Sequence, residues 1–320
     1  MRFRRLARIV GVLACSHAEQ HTVGGRIYRL RRKRTAGPEV VAASFYIADR
    51  GMRAWIRRGV GLGTFGGPQG DPDRLLSSPS CRIIKDQRKV RVAVATLMPD
   101  RVQGGIDSPT PVYIKRYNVF SWRVRIASLV LSSPAFRSWD ATMLLRAAGF
   151  LTPSPVAAIE YRRWGMLERS FFITKPVDGA VPADQYWWRL HRAPAEARRA
   201  FIAGLARLFA ALHAAGVYHN DLKDANVLVR AGTEGVVEHY LLDLEHVRQR
   251  QSVSTGQRVK NLVQLHRTLG RLASMRENLY FLRTYLGDEG RLPSCRRCWR
   301  RRVCAAARRK DLRHVLRGVS

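Results

Sequence analysis

Tyr218-His219-Asn220-Asp221-Leu222-Lys223-Asp224-Ala225-Asn226-Val227-Leu228-Val229, followed by Tyr240-Leu241-Leu242-Asp243-Leu244-Glu245, decides how the rest of the chain reads. The apolar runs 227–229 and 240–242 have strand character and are joined by a turn through Gly232 and Gly235. An Asp or Asn in a polar loop between apolar strands is ordinarily a turn former. Here His219, Asp221, Lys223 and Asn226 come in order on one loop, and Asp243 follows at the end of the second run. Two oxygen-bearing side chains on a short loop, with a third on a neighbouring strand end, are what phosphoryl transfer needs to place a nucleophile and hold magnesium.

Charge is distributed in keeping with a cation site. The chain carries 57 Lys and Arg against 24 Asp and Glu, a formal charge of +33. Six of those acids nevertheless fall within residues 221–245: Asp221, Asp224, Glu234, Glu238, Asp243 and Glu245. The excess of positive charge favours an anionic partner such as a phosphorylated lipid, an acidic membrane surface or nucleic acid. Nucleic acid is disfavoured, because apart from Phe3, Tyr28 and Trp299 the basic termini lack interleaved aromatic residues. No run of about 18 apolar residues is present, so no membrane-spanning helix is expected. Residues 1–15 mimic an export signal, with Arg2, Arg4, Arg5 and Arg8 before Ile9–Cys15, but the apolar part is short and the expectation is retention in the cytoplasm. Five cysteines do not form a disulfide framework. Cys295, Cys298 and Cys304, with His314 as a conceivable fourth ligand, could hold zinc; spare cysteines in a basic segment are the default.

Around the loop the chain divides into a basic, flexible extension (1–75, with a glycine-rich linker over 61–73), a β-rich segment (76–178), a mostly helical segment (179–290) and a basic tail (291–320). Strands are expected over 82–84, 90–97 and 111–117, the second alternating and the third carrying Lys115. A helix over 139–148 and strands near 152–158 and 170–174 lead to a Pro- and Gly-containing hinge. A helix over about 195–215 places Phe201, Leu205, Leu208 and Leu212 on one face and delivers the chain to Tyr218. Another spans about 258–269.

The pattern H-x-D-L-K-x-x-N resembles the protein-kinase-like superfamily. Tyr113-Ile114-Lys115-Arg116-Tyr117, Gly149-Phe150-Leu151-Thr152-Pro153-Ser154-Pro155, Gly216–Lys223 and Asn261-Leu262-Val263-Gln264-Leu265 narrow it: over residues 80–285 the chain looks like the bacterial lipopolysaccharide kinase family of core heptose and Kdo kinases. The resemblance implies an α+β, two-lobed protein-kinase-like fold, with a small β-rich N-lobe and a larger, mostly helical C-lobe. It implies ATP and Mg2+ as cofactors and a sugar hydroxyl of the lipopolysaccharide inner core, or another anionic glycolipid, as acceptor, with the enzyme peripheral on the inner face of the cell membrane. It further implies Asp221 as catalytic base, Lys223 near the transferring phosphate, Lys115 on the ATP phosphates, Asn226 and Asp243 on magnesium, and His219 as a structural brace. Arg248, Arg250 and the basic tails would face the acidic lipid core.

Three departures stand out. Ser138 occupies the place of the helix glutamate that pairs the strand lysine, leaving Asp140 or Glu168 to substitute; no glycine-rich phosphate loop lies between 82 and 97; and Leu244-Glu245 stands where Phe-Gly is usual. Rival readings are a small-molecule kinase of the aminoglycoside or choline type and a catalytically weak pseudokinase.

Overall fold

The structure, a computed structural model, describes residues 20–23, 26–29, 44–49, 51–65, 70–99, 108–232 and 237–318. In chain order a hairpin of β1 (Gln20–Val23) and β2 (Arg26–Arg29) precedes β3 (Ser44–Asp49) and β4 (Met52–Arg57). Then come α1 (Pro72–Leu76), β5 (Arg82–Gln87), β6 (Val90–Leu97), β7 (Thr110–Asn118), α2 (Trp122–Ala127), α3 (Pro134–Ala147), β8 (Pro155–Arg163) and β9 (Met166–Thr174). Among the described residues β1 and β2 pair only with each other, and the seven strands from β3 to β9 make one antiparallel sheet in the order β3-β4-β8-β9-β7-β6-β5.

Both faces of this sheet are covered, and alternation along β7 shows why. Val112 and Ile114 point to one side, into a core with Ile56, Phe65, Leu97, Ile159 and Phe171. Tyr117 points to the other, where α3 packs Trp139 against Trp55 with ring centroids 6.4 Å apart. Lys115 lies on this second face, beside the lobe boundary.

Residues 44–76 therefore depart from the flexible extension expected over 1–75. β3 and β4 close the sheet edge next to β8, and Leu62, Phe65 and Leu76 cover the first face. Their apolar residues gain nothing locally and become ordered by burial against strands far along the chain. The leader-like residues 1–15 and most of the basic segment 1–40 lie outside the described residues.

The C-lobe contains β10 (Val181–Pro182), α4 (Ala183–Arg189), α5 (Ala195–Ala214), β11 (Val217–His219), β12 (Val227–Ala231), β13 (Val237–Leu241) and β14 (Val247–Gln249), followed by α6 (Thr255–His266), α7 (Leu269–Leu272), α8 (Met275–Leu286) and α9 (Pro293–Gly318). Phe201, Leu205, Phe209 and Leu212 of α5 are its central stripe; Leu208 is only partly buried. Ser254 and Gln257 form a capping box that fixes the start of α6, satisfying two backbone donors reciprocally.

The segment expected as a solvated basic tail is instead α9. Trp299, Val303 and Ala307, four apart, form an apolar stripe sunk into the C-lobe core, while the arginines between them face outward. Asp311 accepts from Arg267 Nε at 2.8 Å and pairs with Arg271, stapling the far end of α9 to the lobe. Cys295 and Cys304 are nine positions apart on this helix, about half a turn around it, so they cannot converge on one ion. Among the described residues no cluster of three or more potential metal ligands occurs, and the His314 side chain lies outside them.

Candidate active site

A two-residue turn separates α5 from β11. Gly216, at φ 70°, makes it possible: a Cβ there would sit 2.2 Å from the Arg250 carbonyl oxygen. β11 then pairs with β14 and ends at His219, whose buried ring fixes the loop. His219 Nδ1 accepts the Asp221 backbone N–H at 3.2 Å, so Nε2 carries the proton and donates to the Leu242 carbonyl at 2.9 Å. Burial lowers the pKa of His219 despite the opposing Leu242 bond, which keeps the ring neutral and able to serve as acceptor and donor at once.

Asp221 has donors on both carboxylate oxygens. Gln264 Nε2 donates to Oδ1 at 3.2 Å; Lys223 Nζ and Asn226 Nδ2 donate to Oδ2 at 2.9 and 3.1 Å. Asn226 Nδ2 also reaches the Asp221 carbonyl at 2.8 Å. The hairpin register sets Val227 opposite Leu241, and Leu242 N donates to the Asn226 carbonyl at 2.9 Å. Asn226 and Asp243 thus emerge side by side at the hairpin's open end. The turn residue Gly235 lies outside the described residues.

Asp243 adopts the left-handed conformation at φ 58°, ψ 48°. Such a backbone is unfavourable for a non-glycine residue, and Asp is among the few that tolerate it. It turns the carboxylate toward β7, where Lys115 Nζ pairs with Oδ1 across the lobe boundary. Burial works to raise the pKa of this carboxyl, but the Lys115 ammonium outweighs it and the net shift is downward.

Of the acids expected in the sequence to serve Lys115, Glu168 is engaged elsewhere. Glu168 faces Arg125 at 3.6 Å, and Ser138 Oγ lies 3.0 Å from Tyr117 Oη. Glu245 is the second carboxylate at the lysine, with Oε2 3.9 Å from Lys115 Nζ and buried without a hydrogen-bond donor. Arg137 of α3 holds its backbone, donating from Nε to the Glu245 carbonyl at 3.2 Å. Leu244-Glu245 in place of Phe-Gly was the one sequence signal for it.

Behind the loop lies a buried polar network that the sequence did not reveal. Asn261 of α6 donates to the His219 carbonyl at 2.7 Å, and Gln264 donates to the Asn220 carbonyl at 3.0 Å. His213 sits between Asn261 Oδ1 at 3.1 Å and Tyr285 Oη at 2.9 Å. Arg258 donates to the same hydroxyl at 2.6 Å and stacks over Trp299 of α9, 4.7 Å from its centroid. The network therefore runs from the last helix to Asp221.

Burial lowers His213 and His239 to pKa values of about 4. Their folded pKa lies below the ordinary value of 6.5, so the unfolded chain takes up more protons between those limits. This stabilisation is complete above pH 6.5 and is lost as pH falls toward 4, by up to about 3 kcal/mol for each ring. Melting followed from pH 7 to 4.5 should drop steeply and reversibly, and less so in a His213→Gln, His239→Gln double variant; equal acid sensitivity in that variant would place the effect elsewhere.

A β-rich lobe carrying a lysine, a helical lobe carrying an Asp-Asn loop and an aspartate between them define the two-lobed protein-kinase-like fold. The chain belongs to the lipopolysaccharide kinase (Kdo/WaaP) family, whose family model matches residues 126–285. It is 27% identical over 157 residues to the lipopolysaccharide core heptose(I) kinase WaaP of Pseudomonas aeruginosa, a match covering 47% of this chain and 59% of that protein. Its fold is similar to that of WaaP solved in complex with acyl carrier protein, with a TM-score of 0.53 and 22% identity over 75% of this chain and 91% of that one.

Proposed function

We propose that the chain is an ATP-dependent kinase that phosphorylates a sugar hydroxyl, heptose or Kdo, of the lipopolysaccharide inner core. The observation that carries this reading is the convergence of Lys115, Asp243, Asn226 and Asp221 from two lobes onto one cleft. The donor set suits a hard cation: a carboxylate on Asp243 and the carboxamide oxygen of Asn226, whose nitrogen is already engaged by Asp221. When bound there, magnesium supplies neutralisation of the charge on the nucleotide phosphates.

The remaining work falls to the chain's own groups, mostly through positioning. Asp221 accepts the proton of the sugar hydroxyl, its second oxygen held by Gln264 so that the carboxylate cannot swing away. Lys223, on the same carboxylate, moves to the transferring phosphate. Lys115 leaves Asp243 for the nucleotide phosphates, and Glu245 retains it in place as that pair opens. An anionic acceptor is favoured by the basic rim beside Asp221, where Lys260 Nζ donates to Asn220 Oδ1 at 2.7 Å. Lys310 of α9 joins that rim; burial and the nearby Arg267 and Lys260 lower its pKa.

Among the described residues no helix is long and apolar enough to cross a membrane, and we assign the enzyme to the cytoplasmic face, in peripheral contact with it. The test is transfer of labelled γ-phosphate from ATP to lipopolysaccharide extracted from the protein's own host, with choline and an aminoglycoside as competing acceptors. Turnover confined to the soluble acceptors would replace this reading with a small-molecule kinase, and absence of magnesium-dependent ATP binding would point to a pseudokinase.

A further inference from the structure

The N-lobe presents an apolar surface that nothing in the fold covers among the described residues. Trp122, Ile126 and Leu129 lie along one side of α2 and the turn that extends it, exposed at 68%, 52% and 54%, and Val130 and Leu131 continue it at 87% and 58%. The tip of the β8–β9 hairpin joins them. Arg162 donates from Nη1 to the Ser128 carbonyl at 2.7 Å, Ser128 Oγ accepts from Leu167 N at 2.8 Å, and Gly165 lies against Leu129. That tip carries Trp164, 77% exposed.

Trp164 is costly where it stands. It occupies the first position of a two-residue hairpin turn at φ 50°, with Gly165 at φ 78°, a conformation that favours Asn or Gly and disfavours a bulky side chain. Among the described residues its one ring contact is the Arg163 guanidinium, 4.5 Å from the centroid, and no packing there accounts for it. Strained backbone of this kind clusters at functional positions.

Charge identifies what the surface meets. Residues 119–139 contain no acid, and Arg123 and Arg163 flank the two exposed indoles. Indole rings among arginines, above a strip of aliphatic residues, match the boundary between anionic headgroups and acyl chains. We propose that α2, its following turn and the Trp164 hairpin tip dock this protein onto an anionic lipid bilayer. The same chain segment runs through Ser132, whose carbonyl accepts from Arg137 at 2.5 Å, into α3 and so to Glu245 at the cleft. A glycolipid anchored in that bilayer is thereby brought to the catalytic groups.

The proposal extends the reading of the acceptor as a membrane glycolipid, and its test uses neither acceptor nor nucleotide, so the two can fail separately. The full chain is sedimented with phosphatidylcholine vesicles containing or lacking phosphatidylglycerol. A Trp122→Ser, Ile126→Ser, Val130→Ser, Trp164→Ser variant should bind the anionic vesicles at least about tenfold more weakly, with its melting temperature unchanged. Trp122→Phe and Trp164→Phe should keep most of the binding while reducing quenching of tryptophan fluorescence by brominated acyl chains, an outcome independent of whether the quadruple variant folds. Wild-type vesicle affinity in the quadruple variant, or unaltered quenching in both single variants, overturns the proposal and leaves the face to a protein partner or to this chain's own first residues.

Discussion

Asp221→Ala should bind ATP and magnesium with near wild-type affinity and lose phosphate transfer by about a hundred- to ten-thousandfold, the range for a lost general base. The fold should survive, because the loop is held by His219 and Asn261 through backbone atoms that this substitution leaves alone. Asp221→Asn keeps the shape and hydrogen-bonding reach of the side chain but not its basicity, and separates proton acceptance from geometry. Single-turnover transfer of labelled phosphate reads the difference. Rates within tenfold of wild type in both variants would remove Asp221 from the role of base.

Asp243→Ala should abolish the enhancement of nucleotide binding by magnesium, read by calorimetry with and without the metal. Removing the carboxylate takes away the anionic partner of Lys115, so metal-free ATP should bind no worse and the curves with and without magnesium should coincide. Glu245→Gln provides the contrast. It leaves Asp243 and the metal dependence in place while loosening Lys115, so transfer should fall, with a much smaller added cost when Lys115 is already methionine. Persistent magnesium dependence in Asp243→Ala would assign the metal to other residues.

The parts legible in the sequence were those with short-range signals. The loop from His219 to Asn226 and the hairpin ending at Asp243 carry their chemistry within a few residues, and α5 has an unbroken apolar period. Lys115, which the structure sets against Asp243, stood out by its strand and its distance from the loop. What escaped depends on partners remote in the chain. Strands β3 and β4 are short, bordered by basic and glycine-rich sequence, and acquire a buried face only beside β8. In α9 the run of arginines obscured Trp299, Val303 and Ala307, although their spacing of four is a helical period. Glu245 was visible as a departure, but its nearness to Lys115 follows from the closing of two lobes, which no local pattern encodes.

The pairing of β4 with β8 also decides which strand stands at the sheet edge. Met52–Ile56 lies against Ala157–Tyr161, strands separated by about a hundred residues of chain, so this part of the sheet pays a long loop closure and forms late relative to local hairpins. Until it does, or whenever residues 44–57 are lacking, β8 is an open edge whose Val156, Ala157, Ala158 and Ile159 offer apolar side chains and unsatisfied peptide groups together. Such an edge templates pairing between molecules. The segment read in the sequence as a flexible extension thus covers the most apolar edge of the sheet and leaves the less buried β3 outermost in its place.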